Sequence, residues 1–243
     1  MSITKNRVLQ LLDQFATPIA LLWLELVFKL STTGGLWPQV LFVLLFSVAA
    51  GLFVELLASL LPHARTTKIT KMVVMGLAGV VFCVEYFVYR EFKLFYDLKT
   101  VLGGAGDAAT GFTDQILALV FSPAGIVHIL LFMLPVLAYA RWGTGETGVR
   151  NTADPLTTFA HAMRNCALTW IVALLAVSIV EPFEKTYSSQ YTFDAAVSNF
   201  GLVTGLRKEV MGLASGKSNN VTFSQSEQAQ ASTDTKASGN DTA

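Results

Sequence analysis

The chain has 243 residues, of which 53% are hydrophobic and only 14% are charged, with a formal net charge of zero. A soluble domain carries about 25% charged residues, so this composition is typical of a membrane protein that crosses the bilayer several times. The balance of positive and negative charge excludes a strongly basic protein, and we expect no nucleic acid partner.

Five predominantly apolar segments are each predicted to form a membrane-spanning helix. They are Phe15–Leu30, Leu36–Leu61, Met72–Tyr89, Ile126–Ala140 and Ala167–Val180. The first follows a basic N-terminus, as a signal peptide would, but Glu25 and Lys29 interrupt its end and no small-x-small cleavage site follows. We therefore interpret it as an uncleaved first helix.

Four charged residues are expected at membrane depth, namely Glu25, Lys29, Glu55 and Glu85. Glu25 and Lys29 share a helix face, and two interpretations are open: a salt bridge near the outer end, or a polar contact to another helix inside the bundle. Glu55 is the only charge in the second segment. It should face protein or the interface, because a carboxylate at mid-bilayer costs about 2.5–3.5 kcal/mol on insertion scales.

The connection after the third segment is neither a plain loop nor a clean span. Phe92, Leu94, Phe95 and Leu98 alternate with charges, which predicts an amphipathic continuation along the surface. A glycine-rich stretch follows, and then the apolar run Ile116–Phe121, which ends at Ser122-Pro123. This pattern predicts two short interfacial or re-entrant helices around a glycine hinge.

Polar and aromatic residues cluster where the third segment ends. One interpretation of Arg90 is a local ion pair at the membrane surface. The other is a contact between its planar guanidinium and a lipid phosphate, oriented by Glu85 or Glu91. The candidates for lipid headgroup contact are Arg90, Glu91, Tyr96 and Asp97.

Apolar residues after the fifth segment recur at spacings of three and four between Phe193 and Val210, which predicts an amphipathic helix on the membrane or on the outer connection. We expect a five-span membrane domain with outer juxtamembrane helices over residues 1–213, and a disordered linker or tail over residues 214–243. The fold class is thus all-α, an integral membrane bundle of five transmembrane helices with amphipathic interfacial helices on the outer face.

The second connection, Pro62–Lys71, is predicted to be a basic loop, and the fourth, Arg141–Arg164, a polar loop. Basic residues are concentrated at the N-terminus and in these two loops. This distribution predicts a cytoplasmic N-terminus and an extracellular C-terminus.

Neither a metal site nor a catalytic site is evident. Cys83 and Cys166 lie inside apolar segments, which favours packing roles, and the three histidines have no zinc-ligand spacing. There is no Gly-x-Ser-Gly serine, no aspartate pair within the spans and no phosphate-binding lysine loop. We therefore predict no catalytic residues and no metal ligands in this sequence.

Two motifs add a family resemblance. They are Glu85-Tyr-Phe-Val-Tyr-Arg-Glu-Phe92 and Tyr191-Thr-Phe-Asp-Ala-Ala-Val-Ser-Asn-Phe-Gly-Leu-Val-Thr-Gly-Leu206. Together with the five segments, these motifs resemble the N-terminal transmembrane region of lipoteichoic acid synthase-like proteins. The members of that family are sulfatase-type phosphoglycerol transferases. The resemblance covers about Phe15 to Leu213.

The resemblance implies a function in the cell envelope. In that family an outer sulfatase-like domain uses a threonine nucleophile and a divalent metal such as manganese to move glycerol phosphate from phosphatidylglycerol onto a polymer. The present residues contain no such domain, so we expect a membrane-anchoring and lipid-handling module, without its own cofactor, in the bacterial plasma membrane. Its partners would be a phosphatidylglycerol-like lipid and a catalytic domain that follows it or is a separate chain.

Two alternatives remain open. The chain could be a stand-alone membrane interaction or regulatory subunit that binds a partner synthase. A small transporter is disfavoured, because the spans show no inverted repeat and few charges.

Overall fold

A computed structural model describes residues 12–32, 39–95, 113–144, 155–188 and 192–215. These residues form helices and no strands. In chain order the helices are α1 (Ala16–Thr32), α2 (Val40–Ser59), α3 (Ala64–Phe92), α4 (Thr113–Val120), α5 (Pro123–Trp142), α6 (Pro155–Ile179), α7 (Glu181–Ser188), α8 (Phe193–Phe200) and α9 (Leu202–Ala214).

Four of these helices are long and apolar enough to cross a membrane. They are α2, α3, α5 and the Phe159–Ile179 part of α6. Large apolar side chains cover their outer faces, with Leu77 62% exposed and Leu130 57% exposed. Such a surface is stable in lipid and not in water, so the chain is an all-helical membrane protein with four candidate spans.

Helix α2 packs antiparallel to α1 on one side and antiparallel to α6 on the other. Thr17 near the start of α1 contacts Glu55 near the end of α2, and an added Cβ at Gly51 would lie 2.3 Å from the Cα of Pro18. On the other side of α2, the Phe46 ring lies 5.8 Å from the Trp170 ring of α6. Glycine at position 51 therefore permits the backbones of α1 and α2 to touch.

Helices α3 and α5 form a second antiparallel pair. Lys68 donates a hydrogen bond to the Ala140 carbonyl at 3.3 Å, and the Tyr86 ring stacks on His128 at 4.2 Å. Trp23 of α1 joins this pair by donating to the Leu131 carbonyl at 3.0 Å. We call the end of the bundle where α1 and α3 begin the basal end, and the end where they finish the apical end.

Gly79 sets the distance between α3 and α5, because an added Cβ would lie 2.8 Å from the Phe132 carbonyl oxygen. Replacing Gly79 with valine should lower the free energy of unfolding by about 1–3 kcal/mol, as overpacked cores do. The measurement is helical circular dichroism during denaturation in mixed micelles. The control is Gly76→Ala, whose Cβ would lie 3.9 Å from Val136 and should be tolerated. Equal stability of the two variants would contradict the close approach at Gly79.

The structure corrects two predicted loops. Pro62–Lys71 was predicted to be a basic loop and Arg141–Arg164 a polar loop, but α3 begins at Ala64 and α6 begins at Pro155. Hydropathy marks only the part of a helix that lies in lipid, whereas backbone hydrogen bonding continues through alanine, arginine and lysine, which are good helix formers.

The predicted amphipathic continuation of α3 is also interrupted. Lys93 adopts a left-handed conformation with φ 56° and donates its N–H to the Tyr89 carbonyl at 2.9 Å, which ends the helix. Phe95 then packs back against the rings of Phe28 and Tyr89 at 5.7 and 4.5 Å. The glycine cluster over residues 103–109, the expected hinge, lies outside the described residues. The interfacial position of α4 remains a prediction.

The predicted amphipathic helix between Phe193 and Val210 is broken into α8 and α9 at Gly201. An added Cβ at Gly205 of α9 would lie 2.9 Å from Val197 of α8, so the two helices fold against each other. Helix α8 also packs on α2 and α7. This compact unit ends at Val210; within residues 211–215, the Ser215 N–H donates to the Met211 carbonyl at 3.0 Å.

Candidate functional site

The predicted headgroup residues lie only partly within the described structure. Arg90 and Glu91 are in the last turn of α3 at the apical end, where Arg90 is partly buried and Glu91 is exposed. The Arg90 guanidinium contacts the Tyr86 hydroxyl at 3.4 Å. Tyr96 and Asp97 lie outside the described residues, so the structure does not test whether the four candidates come together.

Two of the glutamates predicted to lie at membrane depth face the interior of the bundle. Glu85 is buried within α3, one turn before Tyr89. Glu55 joins three helices at the basal end: it pairs with Lys71 of α3 at 2.6 Å and accepts hydrogen bonds from the N–H and hydroxyl of Thr17 at 3.1 and 2.8 Å. Lys71 also donates to the Asp13 carbonyl at 2.9 Å. This arrangement holds the basal end together.

Glu25 and Lys29 of α1 attach the turn between α8 and α9 to the bundle. The Glu25 carboxylate accepts hydrogen bonds from the backbone N–H groups of Leu202 and Val203 at 3.1 and 2.7 Å. These groups begin α9, and a helix start leaves such donors without partners unless a side chain supplies an acceptor. Lys29 donates to the Ser198 carbonyl at the end of α8. Both residues therefore make contacts between helices.

Gly201 makes this attachment possible. Its φ of +89° is a conformation that residues with a side chain rarely adopt, and an added Cβ would lie 2.6–2.7 Å from the carboxylate atoms of Glu25. The carboxylate thus occupies the space that a side chain at position 201 would need. Sequence spacing grouped Glu25 with Lys29 but gave no sign of this partner, which lies far along the chain.

A cationic site that sequence reasoning missed lies between α2, α6, α7 and α9. The Arg207 guanidinium carbon lies 4.4 Å from the ring centre of Trp170, 5.6 Å from Phe46 and 6.0 Å from Tyr187. We call these three rings the apical aromatic cluster. The guanidinium also donates to the Tyr187 hydroxyl. A guanidinium on aromatic faces is held by cation–π attraction.

Lys208 completes the site beside Arg207. Its ammonium lies 4.0 Å from the Tyr187 ring centre and donates to the Tyr187 carbonyl. Burial, followed by the adjacent Arg207 charge, lowers the pKa of Lys208 to about 8. Two neighbouring cations are thus held close together against one tyrosine.

The described residues offer no metal centre, since none of them form a group of three or more histidine, cysteine, aspartate or glutamate side chains that could hold an ion. In comparisons with known proteins, the chain matches no family model, no curated protein and no solved structure. The resemblance to lipoteichoic acid synthase-like proteins therefore stays a prediction.

Proposed function

We propose that the chain is a membrane module that anchors and supplies lipid to a phosphoglycerol transferase of the lipoteichoic acid synthase-like type. The catalytic domain, with a divalent metal such as manganese, would belong to a further segment or to a separate chain. The module would lie in the bacterial plasma membrane with the basal end cytoplasmic and the apical end outside, as the distribution of basic residues predicts.

The proposal includes α1 as a fifth span. Its 17 residues correspond to about 25 Å, close to the lower limit of about 17 residues for a spanning helix. Contacts at both ends support it: Thr17 meets Glu55 at the basal end, and Phe28 packs on Phe82 of α3 at 5.5 Å towards the apical end. Helix α1 therefore lies within the bundle along its length.

The observation that carries the proposal is the attachment of α8 and α9 to α1 through Glu25. The turn that Glu25 holds is Asn199-Phe-Gly-Leu202, part of one of the two motifs on which the resemblance depends. A segment fixed in this way keeps the apical end ordered beside the membrane. A catalytic domain attached there would be held close to lipid headgroups.

The first test determines the size of the native product and whether a transferase precipitates with it. An antibody raised against the purified chain is used on membranes from the source cells, and the precipitate is assayed for manganese-dependent release of diacylglycerol from phosphatidylglycerol. We expect a transferase in the precipitate, either as a band far above 26.3 kDa or as a second chain. A non-immune antibody and a chelator are the controls.

The outcomes separate the candidates. A large band with activity supports the fused module, and a second chain with activity supports the alternative, a separate subunit that binds a partner synthase. A solitary product near 26.3 kDa without activity would reject both.

The predicted headgroup residues give a second test. Replacing Arg90 and Glu91 together with alanine in the active assembly should lower polymer output severalfold at an unchanged protein level, because the phosphate would lose its guanidinium partner. Polymer is measured by labelled glycerol incorporation. The control is Arg65→Ala near the basal start of α3. Unchanged output in the double variant would remove the proposed role of both residues.

A further inference from the structure

Arg207 is only partly satisfied by its surroundings, because one of its buried hydrogen-bond donors has no acceptor among the described residues. Aromatic rings from α2, α6 and α7 surround the guanidinium, and one hydrogen bond goes to the Tyr187 hydroxyl. Its Nε atom is buried and has no hydrogen-bond partner among the described residues. A buried donor without an acceptor is destabilising, and more so when it carries a charge.

The charge of Arg207 is also uncompensated within the described part of the chain. Arg207 belongs to no ion pair among the described residues. The adjacent Lys208 adds a second positive charge. Two rings of the apical aromatic cluster belong to membrane-crossing candidates, α2 and α6.

We propose that Arg207 and Lys208 form a phosphate-binding site walled by Phe46, Trp170 and Tyr187, which takes the phosphate of an anionic lipid headgroup or a free phosphate. A phosphate supplies the negative charge and the acceptor oxygen that Arg207 lacks among the described residues, and Lys208 adds a second positive charge beside it. The aromatic rings lower the local dielectric constant beside the guanidinium, which strengthens its attraction to an anion. This site is separate from the candidates around Arg90 and deepens the proposed lipid-handling function.

The test uses the full chain, purified in an uncharged detergent and titrated with dihexanoyl phosphatidylglycerol by isothermal calorimetry. Arg207→Gln removes the charge, and Arg207→Lys keeps the charge but removes the planar fork. We expect Arg207→Gln to bind at least about tenfold more weakly, since charged hydrogen bonds contribute about 1.5–3 kcal/mol. Arg207→Lys should fall between it and the parent chain.

The matched control is Lys185→Gln, which removes an exposed cation from the same α7 that carries Tyr187. It should bind like the parent chain. Circular dichroism checks that each variant is helical. If Arg207→Gln does not fold, Lys208→Gln is the second variant, with an expected loss of severalfold. Equal affinity of the folded Arg207 or Lys208 variant and the parent chain would overturn the proposal, because Arg207 would then serve only to hold the rings.

Competition identifies the source of the phosphate. Displacement of the lipid by glycerol phosphate, but not by inorganic phosphate at the same concentration, indicates a headgroup site. Equal displacement by the two compounds indicates a site for free phosphate. Either result supports the site. Displacement by neither compound would overturn it. The inference and the proposed function can fail separately, because this binding requires no transferase and the transferase assay requires no intact Arg207.

Discussion

Replacing Lys71 with methionine is expected to lower the free energy of unfolding by about 3–5 kcal/mol, the cost of removing one partner of a buried ion pair. Lys71 is fully buried, and its ammonium lies 2.6 Å from Glu55 and 2.9 Å from the Asp13 carbonyl. Methionine fills similar space but leaves the Glu55 carboxylate buried without its counter-charge. The measurement is loss of helical signal during denaturation in mixed micelles.

The double variant Glu55→Gln with Lys71→Met separates charge from packing. It should regain most of the lost stability, because replacing both ions leaves neither charge buried alone. Lys68→Met is the matched control: Lys68 lies one turn earlier on α3, and the hydrogen bond that it donates to the Ala140 carbonyl is exposed. We expect a loss below about 1 kcal/mol there. Equal losses in the single and double Lys71 variants would show that packing, and not charge pairing, dominates at this position.

The ion pair between Glu55 and Lys71 could be predicted only in part from the sequence. The apolar context of Glu55 was enough to predict that it faces protein or the interface. Its partner was not predictable, because Lys71 was placed in a loop by the surrounding basic residues. Only the start of α3 at Ala64 brings Lys71 into the bundle. A charge beside an apolar segment can thus belong to the buried part of the same helix.

The helices themselves were largely predictable. Each of the five apolar segments falls on one of the long helices α1, α2, α3, α5 and α6, because burial of apolar surface in lipid requires a continuous run of apolar residues. Four of these helices qualify as spans, and the shorter α1 is a span only in the proposed function. Helix ends were less predictable, since caps such as Ser122, which accepts from the Gly125 N–H at 3.0 Å, are local hydrogen bonds that hydropathy does not detect.

The site around Arg207 could not have been found from spacing. Its walls are Phe46, Trp170 and Tyr187, which belong to three helices and meet because α6 and α7 both place a ring 5.8 Å from Phe46 of α2. In sequence each looks like an ordinary membrane aromatic. Arg207 itself stood in a region predicted to lie at the surface. Only the structure shows that the Arg207 guanidinium lies among these aromatic rings, which makes it a candidate binding residue.

Replacing Gly201 with alanine is expected to destabilise the apical end by about 3 kcal/mol. The φ of +89° and ψ of 165° at this position belong to a region that is essentially restricted to glycine, and strain there costs about 1–3 kcal/mol. The added methyl group would also displace the Glu25 carboxylate, which leaves the N–H groups of Leu202 and Val203 without their acceptor. Stability in mixed micelles and amide hydrogen exchange at these two residues are the measurements.

Two further variants decide what the loss means. Gly76→Ala is the matched glycine control, since its Cβ has room beside Val136, and it should leave exchange at Leu202 and Val203 unchanged. Glu25→Ala removes the acceptor without straining residue 201, so it should raise exchange at the same amides by as much as Gly201→Ala while costing less stability overall. If both variants instead leave exchange at Leu202 and Val203 slow, then Glu25 does not hold the start of α9. The attachment that carries the proposed function would then be lost, whereas phosphate binding at Arg207 would remain to be judged on its own measurement.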